Sequence, residues 1–242
     1  MTVAGAAVAL FLGAALQSAT GFGFALVSAP ILFVLLGPQE AVTAGVIVGF
    51  LLNGLTLATE GRRPQVLGRD AIALVAWSVP GIVLGVLALR HLPREPLSVV
   101  VALAVLTGLG LRLRARRGEA VARPRAWHLP VSGVTAGALG TSTSLNGPPL
   151  VFCLLARGPS PVQMRDTLAA IFLAEAVLGL PALLLSDTFT TPRSLAVLLL
   201  AGLAGQLLGR RAFGWLDGDR YENAVLAILA LTALVALAAT VA

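Results

Sequence analysis

Gln17-Ser18-Ala19-Thr20-Gly21-Phe22-Gly23-Phe24 decides how this chain is read, and Gly140-Thr141-Ser142-Thr143-Ser144-Leu145-Asn146-Gly147-Pro148-Pro149 echoes it roughly half a chain later. Each is a short island of glycine, hydroxyl and amide residues set in strongly apolar sequence. In a soluble protein such an island would be an ordinary loop. Here 57% of residues are hydrophobic, 12% are charged and the mean hydropathy is +0.93. Soluble domains carry about a quarter charged residues. Runs of about 18 or more apolar residues recur, each long enough to cross a hydrocarbon core about 30 Å thick. The residues therefore predict an all-α, polytopic membrane protein in which the islands break helices at membrane depth. A barrel is excluded by the run lengths, because its strands need only about ten residues of alternating pattern.

The net charge of +6 is arginine charge: all 17 basic residues are Arg, most of them in short connections between apolar runs. That is the positive-inside distribution of membrane loops and argues against a nucleic-acid partner. Cys153 is the only cysteine, so no intrachain disulfide can form and a cysteine-based metal site is not expected. Two isolated histidines make no metal site. No HExxH, cofactor fingerprint or nucleophile–base pairing is present, so the reading is of a non-enzyme that needs no cofactor. The N-terminal apolar run lacks a basic leader and reads as mature structure.

In order, apolar segments cover 2–16, 24–36, 41–59, 71–90 and 97–111 before a polar stretch that holds six arginines between Arg112 and Arg125. They then cover 128–139, 149–156, 167–185, 194–209 and 223–241. The two series correspond. Pro30-Ile31-Leu32-Phe33 falls on Pro149-Leu150-Val151-Phe152, Phe50-Leu51-Leu52-Asn53 on Phe172-Leu173-Ala174-Glu175, and Gly81 and Gly85 on Gly205 and Gly209. The expected organisation is a first membrane repeat at 1–111, a basic cytoplasmic linker at 112–126 and a second repeat at 127–242. Such duplication is typical of secondary transporters.

Two arrangements of each half compete. In one, the island tips a re-entrant pair of half-helices and three transmembrane helices follow, giving about eight membrane segments and inverted repeats. In the other, the broken helix crosses the membrane. The first places 14 arginines on one side and leaves Arg90, Arg94 and Arg193 on the other; the second splits them 10 to 7. The positive-inside rule prefers the first.

Non-helical backbone at membrane depth persists only where it is buried in protein or faces water. Two such breaks in matching positions are the best sequence pointer to a transporter site. Gly21 and Gly23 permit positive φ and close backbone approach. Pro148 or Pro149 can start a half-helix after Gly147, aiming its amides and dipole at an anion. Gln17, Ser18, Thr20, Thr141, Ser142, Ser144 and Asn146 offer neutral donors; Phe22 and Gly140 complete the candidate binding set. No Arg or Lys lies in either island. The alternative is that these small residues only allow close helix packing.

Ser18-Ala19-Thr20-Gly21-Phe22-Gly23-Phe24 with Pro30 downstream resembles the first motif of the TauE/SafE sulfite-exporter family of membrane permeases. Gly137-Ala138-Leu139-Gly140 leading to Asn146-Gly147-Pro148-Pro149 resembles the start of that family's second repeat. This chain has Ser-Leu-Asn-Gly-Pro-Pro where many members carry more glycines. The resemblance implies a multi-pass permease of the cell inner membrane for small sulfur-containing anions such as sulfite, sulfonates or sulfoacetate.

Outside the islands the sharpest residue is Glu175, near the middle of an apolar span, where an ionisable side chain is a functional hypothesis by default. It is the candidate for proton coupling, with Asn53 as its uncharged counterpart; the bland alternative is a neutral Glu bonded to a neighbouring helix. Gln206 reads as an interhelical hydrogen bond. The reading is a secondary transporter binding its anion at the paired breaks. The alternatives are an anion channel and, further off, a membrane-embedded enzyme or assembly subunit.

Overall fold

The computed structural model describes residues 2–59, 61–116, 125, 127–213 and 234 of the 242-residue chain. All regular structure among them is helical. The helices are α1 (Thr2–Thr20), α2 (Phe24–Leu36), α3 (Pro38–Ala58), α4 (Gly68–His91), α5 (Arg94–Arg116), α6 (His128–Thr143), α7 (Gly147–Leu155), α8 (Pro161–Leu185) and α9 (Leu195–Phe213). α3, α4, α8 and the Arg94–Leu111 part of α5 are long and apolar enough to cross a bilayer. The segments expected at 2–16, 24–36, 128–139 and 149–156 form the shorter helices. Of the expected span 223–241 only residue 234 is among the described residues. α5 runs on to Arg116, so the expected linker at 112–126 begins as helix.

Local sequence sets the helix ends. Gly37, at φ 84°, ends α2 and hands over to Pro38 in the first turn of α3, where the missing N–H costs nothing. Ser160 and Gln163 form a reciprocal capping box at the start of α8: the Gln163 amide donates to Ser160 Oγ (3.2 Å) and the Ser160 amide to Gln163 Oε1 (3.0 Å).

The breaks are narrower than the islands. α1 continues through Thr20, and only Gly21–Gly23 leave the helical path; α6 continues through Thr143, and only Ser144–Asn146 do. The hydroxyl residues explain the difference. Ser18 Oγ donates to Ala15 O (2.7 Å), and Thr141, Ser142 and Thr143 donate to the carbonyls of Gly137, Ala138 and Leu139 at 2.7–2.9 Å. Hydroxyls satisfied by the preceding turn sit within a helix without ending it. The ends come instead from positive φ: Gly21 (78°) and Gly23 (111°) in the first break, Ser144 (62°) in the second.

Packing is closest in two helix pairs. α4 lies on α6, with Gly81 and Gly85 against the backbone of Val134 and Ala138, and Gly133 and Gly137 against α4 in return. α9 lies on α1, with Gly205 against the backbone of Phe11 and Gly209 against Ala15 and Ser18. A Cβ at Gly81, Gly85 or Gly205 would overlap backbone atoms, so these crossings exist only because the side chains are absent. Gln206 makes the expected interhelical bond, donating from α9 to Thr56 Oγ1 of α3 (2.8 Å). The apolar core forms two clusters, one centred on α1, α2, α3 and α5, the other on α4, α6, α7 and α8. Phe22, in the first break, packs against both.

Candidate functional site

The two breaks meet. Between them lies a cavity of about 70 Å³, enough for several waters, walled by both breaks together with α2, α3, α6, α8 and Ile82 of α4. Of the residues singled out in the sequence, Gln17, Phe22, Gly23, Asn53, Gly140, Thr141, Ser144, Asn146, Gly147, Pro148 and Glu175 line it. Three do not: Ser18 packs under Gly209, Gly21 lies against Arg165, and Ser142 bonds its own helix. The side chain of Thr20 lies outside the described residues.

Two amide-to-oxygen pairs face the cavity. Gln17 Nε2 donates to Asn53 Oδ1 (2.9 Å), and Asn53 Nδ2 donates to Gly49 O (2.7 Å). Asn146 Nδ2 donates to Glu175 Oε2 (2.6 Å). An added Cβ at Gly140 would lie 3.4 Å from Asn146 Cβ. Glycine there leaves room for the asparagine. Glu175 is 6% exposed, and its Oε1 is buried with no hydrogen-bond partner. Ser78 faces this carboxyl from α4, with its hydroxyl turned to Val75 O (2.8 Å). A buried polar atom left unmatched is costly and marks a place where another group is expected.

The two half-helix starts differ. α2 begins after Gly23, which has no side chain to cap it, and its first helical bond is from the Val27 amide to Gly23 O (3.2 Å). The amides of Phe24, Ala25 and Leu26 precede that bond and so lack intrahelical partners, and all three residues line the cavity. α7 does start at Gly147 as the prolines foretell, but Pro148 and Pro149 supply no N–H. A Cβ at Gly147 would stand 3.9 Å from both the Phe22 and the Phe172 rings. The sequence reading made the α7 start the better-defined one; of the two starts, α2 has no proline in its first turn and so carries more first-turn amides.

Several wall residues went unremarked as site residues. Phe50 and Phe172, already aligned between the halves, both line the cavity, as do Gly45 and Gly49 one turn apart on α3. Gly45 lets Ser144 approach: an added Cβ would meet Ser144 Oγ at 2.6 Å. Among the described lining residues Glu175 alone is ionisable.

A protein-family model described as Sulfite exporter TauE/SafE matches residues 6–236. The chain belongs to the sulfite exporter TauE/SafE family. As a TauE/SafE protein it is a membrane permease, and the outward apolar surface of α4 (Ile72, Trp77, Val79, Val83, Leu84 and Leu87) fits a lipid-facing wall. Neither a curated protein nor a solved structure matches the chain.

Proposed function

We propose that this TauE/SafE protein is a proton-coupled secondary transporter for small sulfur-containing anions, built from two inverted repeats whose broken helices meet at the binding cavity. The carrying observation is that cavity: two helix breaks from distant parts of the chain line it together with Glu175, whose Oε1 is buried without a hydrogen-bond partner, and with the first-turn residues of α2.

The repeat reading is supported by contacts that recur at a constant spacing. Gly81 on Val134 and Gly85 on Ala138 have their counterparts in Gly205 on Phe11 and Gly209 on Ala15. The Leu67 amide donates to Thr167 Oγ1 (3.0 Å), and the Thr190 amide to Thr43 Oγ1 (3.3 Å). Each half thus lays its connecting loop on the other half's long helix. Inversion is favoured by the arginine distribution.

The coupling argument is electrostatic. An anion entering a low-dielectric cavity beside an ionised Glu175 meets a like charge with no cation among the described lining residues to offset it. The anion enters when Glu175 carries a proton, so the two bind together and move together. Hydrolytic or ligation chemistry has no nucleophile–base pair here to act through. Flux of labelled sulfite or ethanesulfonate in proteoliposomes tests the proposal: uptake should fall as pH rises, and Glu175→Gln should flatten that dependence. An unchanged pH profile in Glu175→Gln would remove the coupling role. Flux that never moves against a gradient would favour a channel.

A further inference from the structure

We infer that the crevice between α5, α6 and α7 binds an anionic phospholipid, with an acyl chain lying along the crevice and the phosphate held at its Trp127–His128 end. The site is separate from the cavity between the breaks. Among the described residues the two share only Pro148 as a wall.

The crevice holds about 400 Å³, against about 70 Å³ for the cavity. α5 lines it from Val100 to Leu111, α6 from Trp127 to Leu139 and α7 from Pro148 to Phe152. Its body suits a hydrocarbon. Thr107 Oγ1 donates to Leu103 O and Thr135 Oγ1 to Val131 O, both at 2.7 Å, so these hydroxyls are already satisfied within their own helices. From His128 to Leu139 α6 rises about 17 Å at 1.5 Å per residue. That is roughly half of a hydrocarbon core about 30 Å thick, the reach of an acyl chain in one leaflet. Leu103 and Val131 on its walls are exposed, and in a membrane permease that surface meets lipid.

One end carries the recognition chemistry. The His128 ring stands edge-on to Trp127 (centroids 4.3 Å apart) and near Phe152 (5.9 Å), and it is only 4% exposed. Its Nδ1 accepts from the Arg125 amide (3.3 Å), which leaves the ring proton on Nε2. Among the described residues no hydrogen bond reaches that Nε2. A buried N–H without an acceptor marks a place where another group is expected, and a phosphate oxygen supplies it. Charge points the same way. Positions 112–125, which join this end of α5 to the start of α6, hold six arginines and one glutamate. Basic residues beside a crevice between membrane helices draw anionic headgroups, and tryptophan sits at headgroup level. A second copy of this chain, at net charge +6, brings the wrong sign to that end, and residues 223–241 contain no acidic side chain.

The test follows tryptophan quenching by lipids brominated on their acyl chains, with the full-length protein in detergent. Trp77→Phe with Trp215→Phe keeps Trp127 at the crevice; Trp127→Phe with Trp215→Phe keeps Trp77 on the outer face of α4. Brominated phosphatidylglycerol should quench Trp127 at a mole fraction at least threefold lower than brominated phosphatidylcholine, while Trp77 does not distinguish them. His128→Leu should remove most of the preference at Trp127; an unchanged preference would overturn the placement of the phosphate. Equal quenching of Trp127 by the two lipids, or the same preference at Trp77, would overturn the inference. So would absence of quenching at Trp127, the result expected if a second copy or another part of the chain covers the crevice. Native mass spectrometry of the unaltered protein decides the matter even if a variant does not fold: phosphatidylglycerol should be retained at least threefold over phosphatidylcholine of the same chains, and equal retention would count against the site.

Discussion

Asn146 reaches from the N-terminus of α7 to Glu175 in the middle of α8 with a 2.6 Å hydrogen bond, the shortest link between the second helix break and the ionisable group of the cavity. It fixes the carboxyl so that one oxygen is held and the other is buried without a hydrogen-bond partner. Replacing Asn146 by Ala leaves both oxygens of a buried carboxyl without partners. Loss of a buried partner costs about 1–3 kcal/mol, so Asn146→Ala should lower the thermal midpoint in detergent. In a Glu175→Leu background the same change should cost much less, because no polar group remains to be orphaned. Additive losses in that double-mutant cycle would show that Asn146 acts on something other than Glu175.

The two glycine crossings give a sharper stability test. Gly81 and Gly205 each face backbone of the partner helix, so alanine at either position has no soft neighbour to displace. Overpacking of this kind costs about 1–3 kcal/mol. Gly110 in α5 has nothing within 4 Å of an added Cβ, and Gly110→Ala should gain slightly through helix propensity. Comparing monodisperse yield and thermal midpoint across the three variants checks the prediction; equal behaviour of Gly81→Ala and Gly110→Ala would refute the close crossing.

Gly21 and Gly37 separate backbone strain from crowding. Both have positive φ, 78° and 84°, and Gly37, with ψ 168°, lies in a region essentially reserved for glycine, so alanine at either costs about 1–3 kcal/mol through conformation alone. At Gly37 the added Cβ meets nothing within 4 Å; at Gly21 it lies 2.8 Å from Arg165 Cα. Gly21→Ala should therefore destabilise clearly more than Gly37→Ala, and it should also impair transport, since Phe22 and Gly23 beside it wall the cavity. A thermal-unfolding comparison with a matched flux assay reads both effects.

The helices, the two breaks and the prominence of Glu175 were legible in the sequence because each is a local signal: apolar length, glycine with proline, an acid in an apolar run. The extent of the breaks was not. Thr141, Ser142 and Thr143 look like loop residues in a list, yet their hydroxyls bond back to the preceding turn and leave α6 intact. The choice between half-helix starts also depended on three dimensions. A sequence shows that Pro148 can begin a helix, but the Phe22 and Phe172 rings around Gly147 appear only when residues far apart in the chain are brought together. The same holds for Gln17 with Asn53 and for Arg165 with Gly21, pairs joined by the fold and by no shared motif.

The loop between α3 and α4 is held far more strongly than the loop between α8 and α9. Arg62 grips Asp166 through two bonds, Nη1 to Oδ2 (2.6 Å) and Nη2 to Oδ1 (3.0 Å). Asp166 Oδ2 also accepts from the Gln65 amide (2.7 Å), and Thr167 Oγ1 from the Leu67 amide (3.0 Å). At the loop between α8 and α9 the bonds are neutral: the Thr190 amide to Thr43 Oγ1 (3.3 Å) and Thr190 Oγ1 to Gln39 Oε1 (3.1 Å). The hydrogen bond that Arg62 donates to Asp166 holds the guanidinium pKa above its ordinary value, so the arginine stays charged across the working pH range. Bonds to charged groups are about twice as strong as neutral ones. Asp166→Ala should therefore raise hydrogen exchange at the Gln65 amide by roughly tenfold or more, with Thr190 unaffected. Thr43→Val should raise exchange at Thr190 by a smaller factor. The Arg62 side chain is 33% exposed, so high salt should weaken the charged clasp and leave the neutral one unchanged. Equal exchange rates at Gln65 and Thr190 in the unaltered protein would refute the difference between the two loops.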